Sequence, residues 1–334
     1  MFCNFSESLR DFSDRRAMQR DCSHRQLDVV VARSCGICYP NDPSACLDYL
    51  RNYLGEEPWP RTSGNHGTRK VLGILAPHID LRVSQRAYRE AYRWLWQSDP
   101  ADLYIILGVG HRARLEWSLD LRDYLTPLGR VQADREMARK LLSVLDVPLL
   151  EPKAHEEEHS IEFPLVLLQA ARFWRGVGKP FRFLPILCSG LFSAVAQGSP
   201  PEERNPMYRL AAQLQKLLQE VPFSVQLVVS IDGCHVGPRF GHPFVVTPSV
   251  RAEIQRWEET LWETVRRVDA PEFFAHLGRN GNACYFDGVG ALALVMEIFG
   301  KEAEFIRTYY EQWFEPRDQS LVTFSSGVWL DPKN

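Results

Sequence analysis

The chain has no apolar stretch near the roughly 20 residues that a membrane-crossing helix needs. Neither sign of charge dominates, with 39 Lys+Arg against 42 Asp+Glu and a formal charge of −3. Nucleic acid or an anionic membrane surface as the main partner would call for a basic excess, so neither is expected. The opening segment, Met1 to Gln26, mixes Arg, Asp and Ser and lacks the apolar centre of a signal peptide. We therefore expect a cytoplasmic protein with a poorly ordered tail over residues 1–26. Eight cysteines in 334 residues are too few for a disulfide framework. Five of them, Cys3, Cys22, Cys35, Cys38 and Cys46, crowd the start of the chain, where Cys35-Gly36-Ile37-Cys38 forms a CxxC. No second CxxC completes a zinc site, and the motif reads as small residues at a turn. GxGxxG, P-loop and GxSxG patterns are also missing, so nucleotide binding and serine hydrolysis have no motif behind them.

What the chain does have is an ordinary globular composition, 45% hydrophobic and 24% charged. Four apolar, β-branched runs stand out: Val71–Pro77, Tyr104–Gly110, Phe181–Cys188 and Val225–Asp232. Near-continuous runs of this length predict strands covered on both faces. Helical periodicity marks Ser84–Gln97, Ala133–Leu145, Ile161–Trp174, Tyr208–Gln219, Arg251–Val268 and Gly288–Phe299. Loose connections fall at Glu56–Lys70 and Gln197–Pro206, and Phe305–Trp313 with Leu321–Leu330 predict a closing pair of strands. Strands alternating with helices imply a single α/β domain over residues 27–334, a mainly parallel sheet flanked by helices on both faces.

Ligands of such sheets bind at the carboxyl edge of the strands. There the first run ends in Ala76-Pro77-His78-Ile79-Asp80, the second in Gly108-Val109-Gly110-His111 and the fourth in Asp232-Gly233-Cys234-His235. A single histidine at a strand end is usually a hydrogen-bonded structural residue. Three directed to one edge predict a shared site, fit either to bind a borderline metal or to transfer protons. Cys284, just before the helix from Gly288, is a candidate fourth member. His155-Glu156-Glu157-Glu158-His159 matches HExxH, but its insert is wholly acidic and Pro152 lies just upstream. That motif needs both histidines on one face of an ordered helix. We read it as a solvated acidic entry to a helix beginning near Ser160, from which His159 and Glu162 can still face the cleft.

At these residues the chain resembles the Memo-like family. The resemblance rests on Ala76-Pro77-His78, Leu107-Gly108-Val109-Gly110-His111, Glu158-His159-Ser160-Ile161-Glu162, Ser230-Ile231-Asp232-Gly233-Cys234-His235 and Cys284. Cys35 to Pro40 echoes the family's opening turn. The chain departs from the pattern at Ile79-Asp80-Leu81, where the family has Ala-Gly-Tyr, and at Val109-Gly110, where it has Pro-Ser; these changes alter the pocket wall and spare the candidate ligands. The resemblance implies the fold of the class III extradiol dioxygenases and a metal-facing set of His78, His111, His235 and Cys284, with Asp232 orienting a ligand or adding one. Iron or copper suits that set best, with zinc as a further option. It also implies radical-SAM and AMMECR-type partners.

Two functions are expected. One is a non-haem iron or copper redox enzyme acting on a small organic substrate, with His159 and Asp232 moving protons. The other is a non-catalytic scaffold that binds a peptide or partner in the same cleft. A zinc-dependent hydrolase would use the same residues around a bound water.

Overall fold

The four long apolar runs become four neighbouring strands. The structure is a computed structural model that describes residues 29–54, 69–145 and 149–332. The expected tail over residues 1–26 lies outside the described residues, as does most of the expected 56–70 connection. The chain opens with β1 (Val29–Val31), α1 (Pro43–Leu54), β2 (Val71–Ala76), α2 (Gln85–Gln97) and β3 (Leu103–Val109). Three short strands follow, β4 (Trp117–Leu119), β5 (Asp123–Thr126) and β6 (Gly129–Ala133). Next come α3 (Arg135–Val144), α4 (Pro152–His155), α5 (His159–Trp174) and β7 (Arg182–Cys188). The second half comprises α6 (Phe192–Gln197), α7 (Pro206–Glu220), β8 (Val225–Ser230), β9 (His235–Val236), α8 (Pro248–Arg267), α9 (Ala270–Gly278) and α10 (Val289–Phe299). A long hairpin, β10 (Glu304–Glu315) and β11 (Ser320–Leu330), closes the chain.

The strands form one sheet in the order β1-β5-β6-β7-β3-β8-β2-β11-β10, with β4 beside β7 and β9 beside β11. Its centre is parallel: β3 pairs with β7 and β8, and β8 with β2. The β10–β11 hairpin is the closing pair of strands that the aromatic and β-branched residues of Phe305–Trp313 and Leu321–Leu330 predicted; it is antiparallel and adds to the β2 side. Alternate residues enter opposite cores. Leu75, Ile105, Leu107, Leu227 and Val229 join one core with α3 and α6 to α10. Ile74, Tyr104, Ile106, Phe183 and Val228 join the other with α1, α2 and α5. Both faces being covered is why these strands read as unbroken apolar runs. Pro185 is tolerated inside β7 because it falls between the segment paired with β6 and the segment paired with β4.

Helix starts are set by side-chain caps: Ser84 accepts from Ala87 N, Asp134 from Met137 N, and Thr247 from Val250 N ahead of Pro248. The sequence did not predict β4 to β6. They are three to five residues long, and β5 begins with Asp123, a buried carboxylate held by Arg130 and Arg135. Charge inside so short a strand removes the apolar signal. Among the described residues, no helix is long and apolar enough to cross a membrane.

The CxxC sits in a tight turn, as expected. Gly36 takes a positive φ of 80°, Cys35 bridges to Tyr39, and the Cys35 thiol donates to the Ala32 carbonyl. Burial, and then Asp80, push the Cys38 thiol up to about 12, so it stays protonated. Neither property suits a redox-active CxxC, whose attacking thiol needs a lowered pKa.

Candidate metal centre

Strand order brings the chemistry together. β3, β8 and β2 lie side by side and parallel, so their carboxyl ends present His111, Asp232 and His78 on one edge. β8 stands between the other two, and Asp232 at its end ties the edge together. Its Oδ1 accepts the backbone N–H of His78 and of Ile79, each at 3.0 Å. Helix α5 starts against the end of β3, where the Val109 N–H donates to Ser160 Oγ at 3.0 Å. Gly108 permits that approach, since a Cβ there would lie 2.5 Å from Ser160 Oγ. The start of α5 thereby sets His159 beside His111.

The three imidazoles form a triangle. Ring centroids are 5.1 Å apart for His78 and His111, 5.0 Å for His78 and His159, and 5.1 Å for the stacked pair His111 and His159. One ring nitrogen from each lies within 4.8 Å of the other two. Their outward nitrogens are fixed by neighbours. His78 Nδ1 donates to the Ser230 carbonyl at 3.1 Å, and His111 Nδ1 donates to the Glu158 carboxylate at 3.0 Å. In both rings Nε2 is left for the centre, the arrangement that orients metal-ligating histidines. Burial and then the neighbouring His78 and His111 lower His159 to about 3, so its imidazole is neutral and able to ligate.

A carboxylate pair completes the floor. His78 Nε2 lies 3.2 Å from Asp287 Oδ2 and 3.8 Å from Asp232 Oδ2, and these three residues form a second group with ligand atoms within 4.8 Å. Burial pulls His78 down, but Asp232, then Asp287 and Glu158, outweigh it and hold its pKa at about 10. Burial pushes Asp232 up, while His78 keeps Asp287 below its ordinary value in spite of burial. Apart from the His78 ion pair, both Asp287 oxygens are buried without a hydrogen-bond partner. Buried carboxylate oxygens of this kind are costly unless something positive faces them. The negative potential that holds a proton on His78 would hold a cation in its place, and three imidazoles with carboxylates fit a first-row transition metal.

The remaining predicted residues flank this centre. His235 Nδ1 faces the Gly233 and Tyr285 carbonyls at 3.1 and 3.2 Å, and the residue lines a cleft of 540 Å³ with His159, Asp232, Phe240 and Trp313. The Cys284 carbonyl accepts the His235 N–H at 2.8 Å, and its thiol donates to Asn282 Oδ1 at 3.8 Å. Among the described residues, neither His235 nor Cys284 belongs to a group of three ligand atoms within 4.8 Å of one another. A separate hollow of 390 Å³ beside residues 191–206 is lined by no histidine or cysteine.

The HExxH segment is not a zinc-protease helix. His155 ends α4 and His159 begins α5, so the two histidines do not share a helix face. The entry is less solvated than expected: His155 is buried with Nε2 3.1 Å from Ser118 Oγ, and Glu158 is buried as the cap that accepts Ser160 N. Burial raises the Glu158 carboxyl, but His111 and then His159 outweigh it and set its pKa at about 2, so it remains an anion.

Glu162 turns away from the cleft. Its carboxylate accepts Arg33 N at 2.8 Å, Ser34 N at 2.9 Å and the Tyr39 hydroxyl, fastening the segment after β1 to α5. Glu162→Ala is expected to cost about 1–2 kcal/mol and to speed hydrogen exchange at the Arg33 and Ser34 amides. Unchanged protection of those two amides would count against this anchoring role.

Sequence reasoning missed Asp287 and Glu158 as members of the site. Both stand just before a helix, where a carboxylate is read as a cap; Glu158 is one, and it orients His111 as well.

The family model described as "Memo-like protein" matches residues 31–328. A MEMO1 family protein of Aquifex aeolicus is 28% identical over 299 residues, covering 88% of this chain and 71% of its own. A MEMO1 family protein of Pyrococcus furiosus is 26% identical over 307 residues, covering 86% of this chain and 92% of its own. One of Thermus thermophilus is 28% identical over 268 residues, covering 80% and 72%. With its fold, its histidine cleft and a match across nearly its whole length, the chain belongs to the Memo-like protein family.

Proposed function

We propose that the cleft is a transition-metal centre, with iron or copper as the metal, in a redox enzyme acting on a small organic substrate. The observation that carries this reading is the convergence of His78, His111 and His159 beside the buried Asp287 carboxylate, whose one close partner among the described side chains is the His78 ring. His78, His111 and His159 would hold the metal. When bound, it would supply Lewis acidity and one-electron chemistry. Ser230 and Glu158 orient two of the rings, and Asp232 fixes the loop that bears His78. His235 and Asp232 line the cleft and are the groups suited to move a substrate's proton, while Phe240 and Trp313 form its apolar wall.

Elemental analysis of protein purified without oxygen tests this. Wild type is expected to carry stoichiometric iron or copper, lost in His78→Ala and His159→Ala and kept in Cys284→Ala. Loss in Cys284→Ala with retention in His159→Ala would return the ligand set to His78, His111, His235 and Cys284. Zinc in place of both metals would favour hydrolysis at a bound water. No transition metal in wild type would sink the redox reading. A binding protein would then account better for the exposed aromatics Tyr285 (52%) and Phe244 (44%), which flank the His242 ring. We extend the proposal, on family resemblance alone, to shared work with radical-SAM and AMMECR-type proteins, for which co-purification is the test.

A further inference from the structure

One turn beside the centre is held in a conformation that its residues do not favour. Asn282 and Tyr285 both take a positive φ, 54° and 50°, a region that residues other than glycine seldom enter. Asn282 tolerates it, and its side chain spans the turn, donating from Nδ2 to the Phe286 carbonyl at 2.9 Å and accepting the Phe286 N–H on Oδ1 at 3.0 Å. Strained conformations persist where the surroundings over-determine them, and they gather at functional sites. This turn ends at Asp287, 3.2 Å from His78, and its Tyr285 carbonyl lies 3.2 Å from His235 Nδ1.

His242 grips the turn from outside. Its backbone N–H donates to the Gly237 carbonyl at 3.2 Å and its Nδ1 accepts the Gly237 N–H at 3.2 Å, so the ring is anchored two residues beyond His235. On the other side its Nε2 reaches the Ala283 carbonyl at 2.8 Å, and the ring packs on Tyr285 with centroids 4.8 Å apart. These partners fix the proton of the neutral ring. A backbone N–H can only donate, so Nδ1 is the acceptor; a carbonyl can only accept, so Nε2 carries the proton. His235 is the reverse case. Its Nδ1 faces two carbonyls, Gly233 at 3.1 Å and Tyr285 at 3.2 Å, so the proton of the neutral ring sits on Nδ1 and the lone pair on Nε2.

We infer that His242 is a positioning residue for the centre: by clasping the Asn282–Asp287 turn it holds the Tyr285 carbonyl on His235 Nδ1 and keeps Asp287 beside His78. The first effect makes Nε2 the basic nitrogen of His235. The second keeps a carboxylate where a cation would sit, and it alone rests on the metal reading above. Glutamine and asparagine separate the clasp from its anchor. A glutamine amide extends as far as Nε2 and still donates to the Ala283 carbonyl. The shorter asparagine extends only as far as Nδ1, where it accepts the Gly237 N–H and leaves Ala283 unheld.

The test compares the full-length protein with His242→Ala, His242→Gln and His242→Asn, each checked by circular dichroism and melting. Proton–nitrogen correlation spectra of the metal-stripped proteins at about pH 8, where a free imidazole is neutral, read the tautomer of each ring. His235→Gln identifies the His235 signals. Titration with cobalt(II) alone, competed against a chelator, reads affinity. Wild type is expected to carry the His235 proton on Nδ1. His242→Ala and His242→Asn are expected to lose that single tautomer and to bind cobalt about 10-fold more weakly, the low end of the range for groups that orient a metal site. His242→Gln is expected to restore both, which a general loosening of the fold would not predict. If the alanine variant does not fold, the glutamine and asparagine variants carry the comparison. The inference is overturned if wild-type His235 is protonated on Nε2, if His242→Ala keeps the wild-type tautomer or cobalt affinity, or if the glutamine and asparagine variants behave alike. Absence of cobalt binding in wild type would sink the metal reading instead, and the His235 tautomer would then decide the inference.

Discussion

Asp232→Ala is expected to unfasten the centre and weaken metal binding about 10–100-fold, the range seen when a ligand's orienting group is removed. The Asp232 carboxylate is buried, and one oxygen accepts two backbone N–H groups of the His78 loop, each at 3.0 Å. Alanine leaves both donors, which belong to the buried residues His78 and Ile79, without their carboxylate partner. Each orphaned buried group costs about 1–3 kcal/mol, so a total of about 2–6 kcal/mol is expected. The same change removes the negative charge most responsible for keeping His78 attractive to a cation. Asp232→Asn separates the two effects, because the amide oxygen can still accept both N–H groups while the charge is gone. Stability should then recover in large part while metal affinity stays low. Urea unfolding and metal titration of the three proteins check this. If Asp232→Ala retained wild-type metal affinity, Asp232 would have no orienting role.

Much of this centre was legible in the sequence for a simple physical reason. A strand buried on both faces needs an unbroken apolar run, so each run announces both the strand and the place where its polar end begins. Ala76-Pro77-His78, Gly110-His111 and Asp232 could therefore be put at one edge without knowing the order of the strands. The order was not legible, and it decides which residues meet. His159 was read as a proton carrier, because nothing in Glu158-His159-Ser160 says that α5 begins against the end of β3; that contact depends on Ser160 Oγ reaching the Val109 N–H above Gly108. Asp287 was hidden as a helix-flanking carboxylate, and only the fold brings it within 3.2 Å of His78. The short strand β5 stayed invisible because a buried Asp123 with two arginine partners looks, in sequence, like a polar loop.

Glu258→Gln is expected to stabilise the protein above neutral pH and to remove a pH dependence that wild type carries. Glu258 is buried on α8 against the β10–β11 hairpin, where its carboxylate accepts the Thr323 and Tyr310 hydroxyls at 2.7 Å each. Burial raises its pKa to about 7, more than Thr323, Tyr310 and Arg307 lower it. An unfolded glutamate titrates near 4.5. Below that point both states are protonated and the favourable contribution is fully present. As pH rises towards about 7, the unfolded chain ionises while the folded one holds its proton, so stability falls. Above about 7 the loss is complete, at about 3 kcal/mol for a shift of this size. Glutamine imitates the neutral acid at every pH. Its amide leaves one hydroxyl to accept where it formerly donated, which is also true of the protonated glutamate. The variant's advantage over wild type should therefore be below about 1 kcal/mol at about pH 5 and reach about 3 kcal/mol at about pH 8.5. The difference between the two proteins, measured by urea unfolding at both pH values, cancels every other titrating group. A difference that does not change with pH would mean that Glu258 is ionised in the folded protein throughout this range.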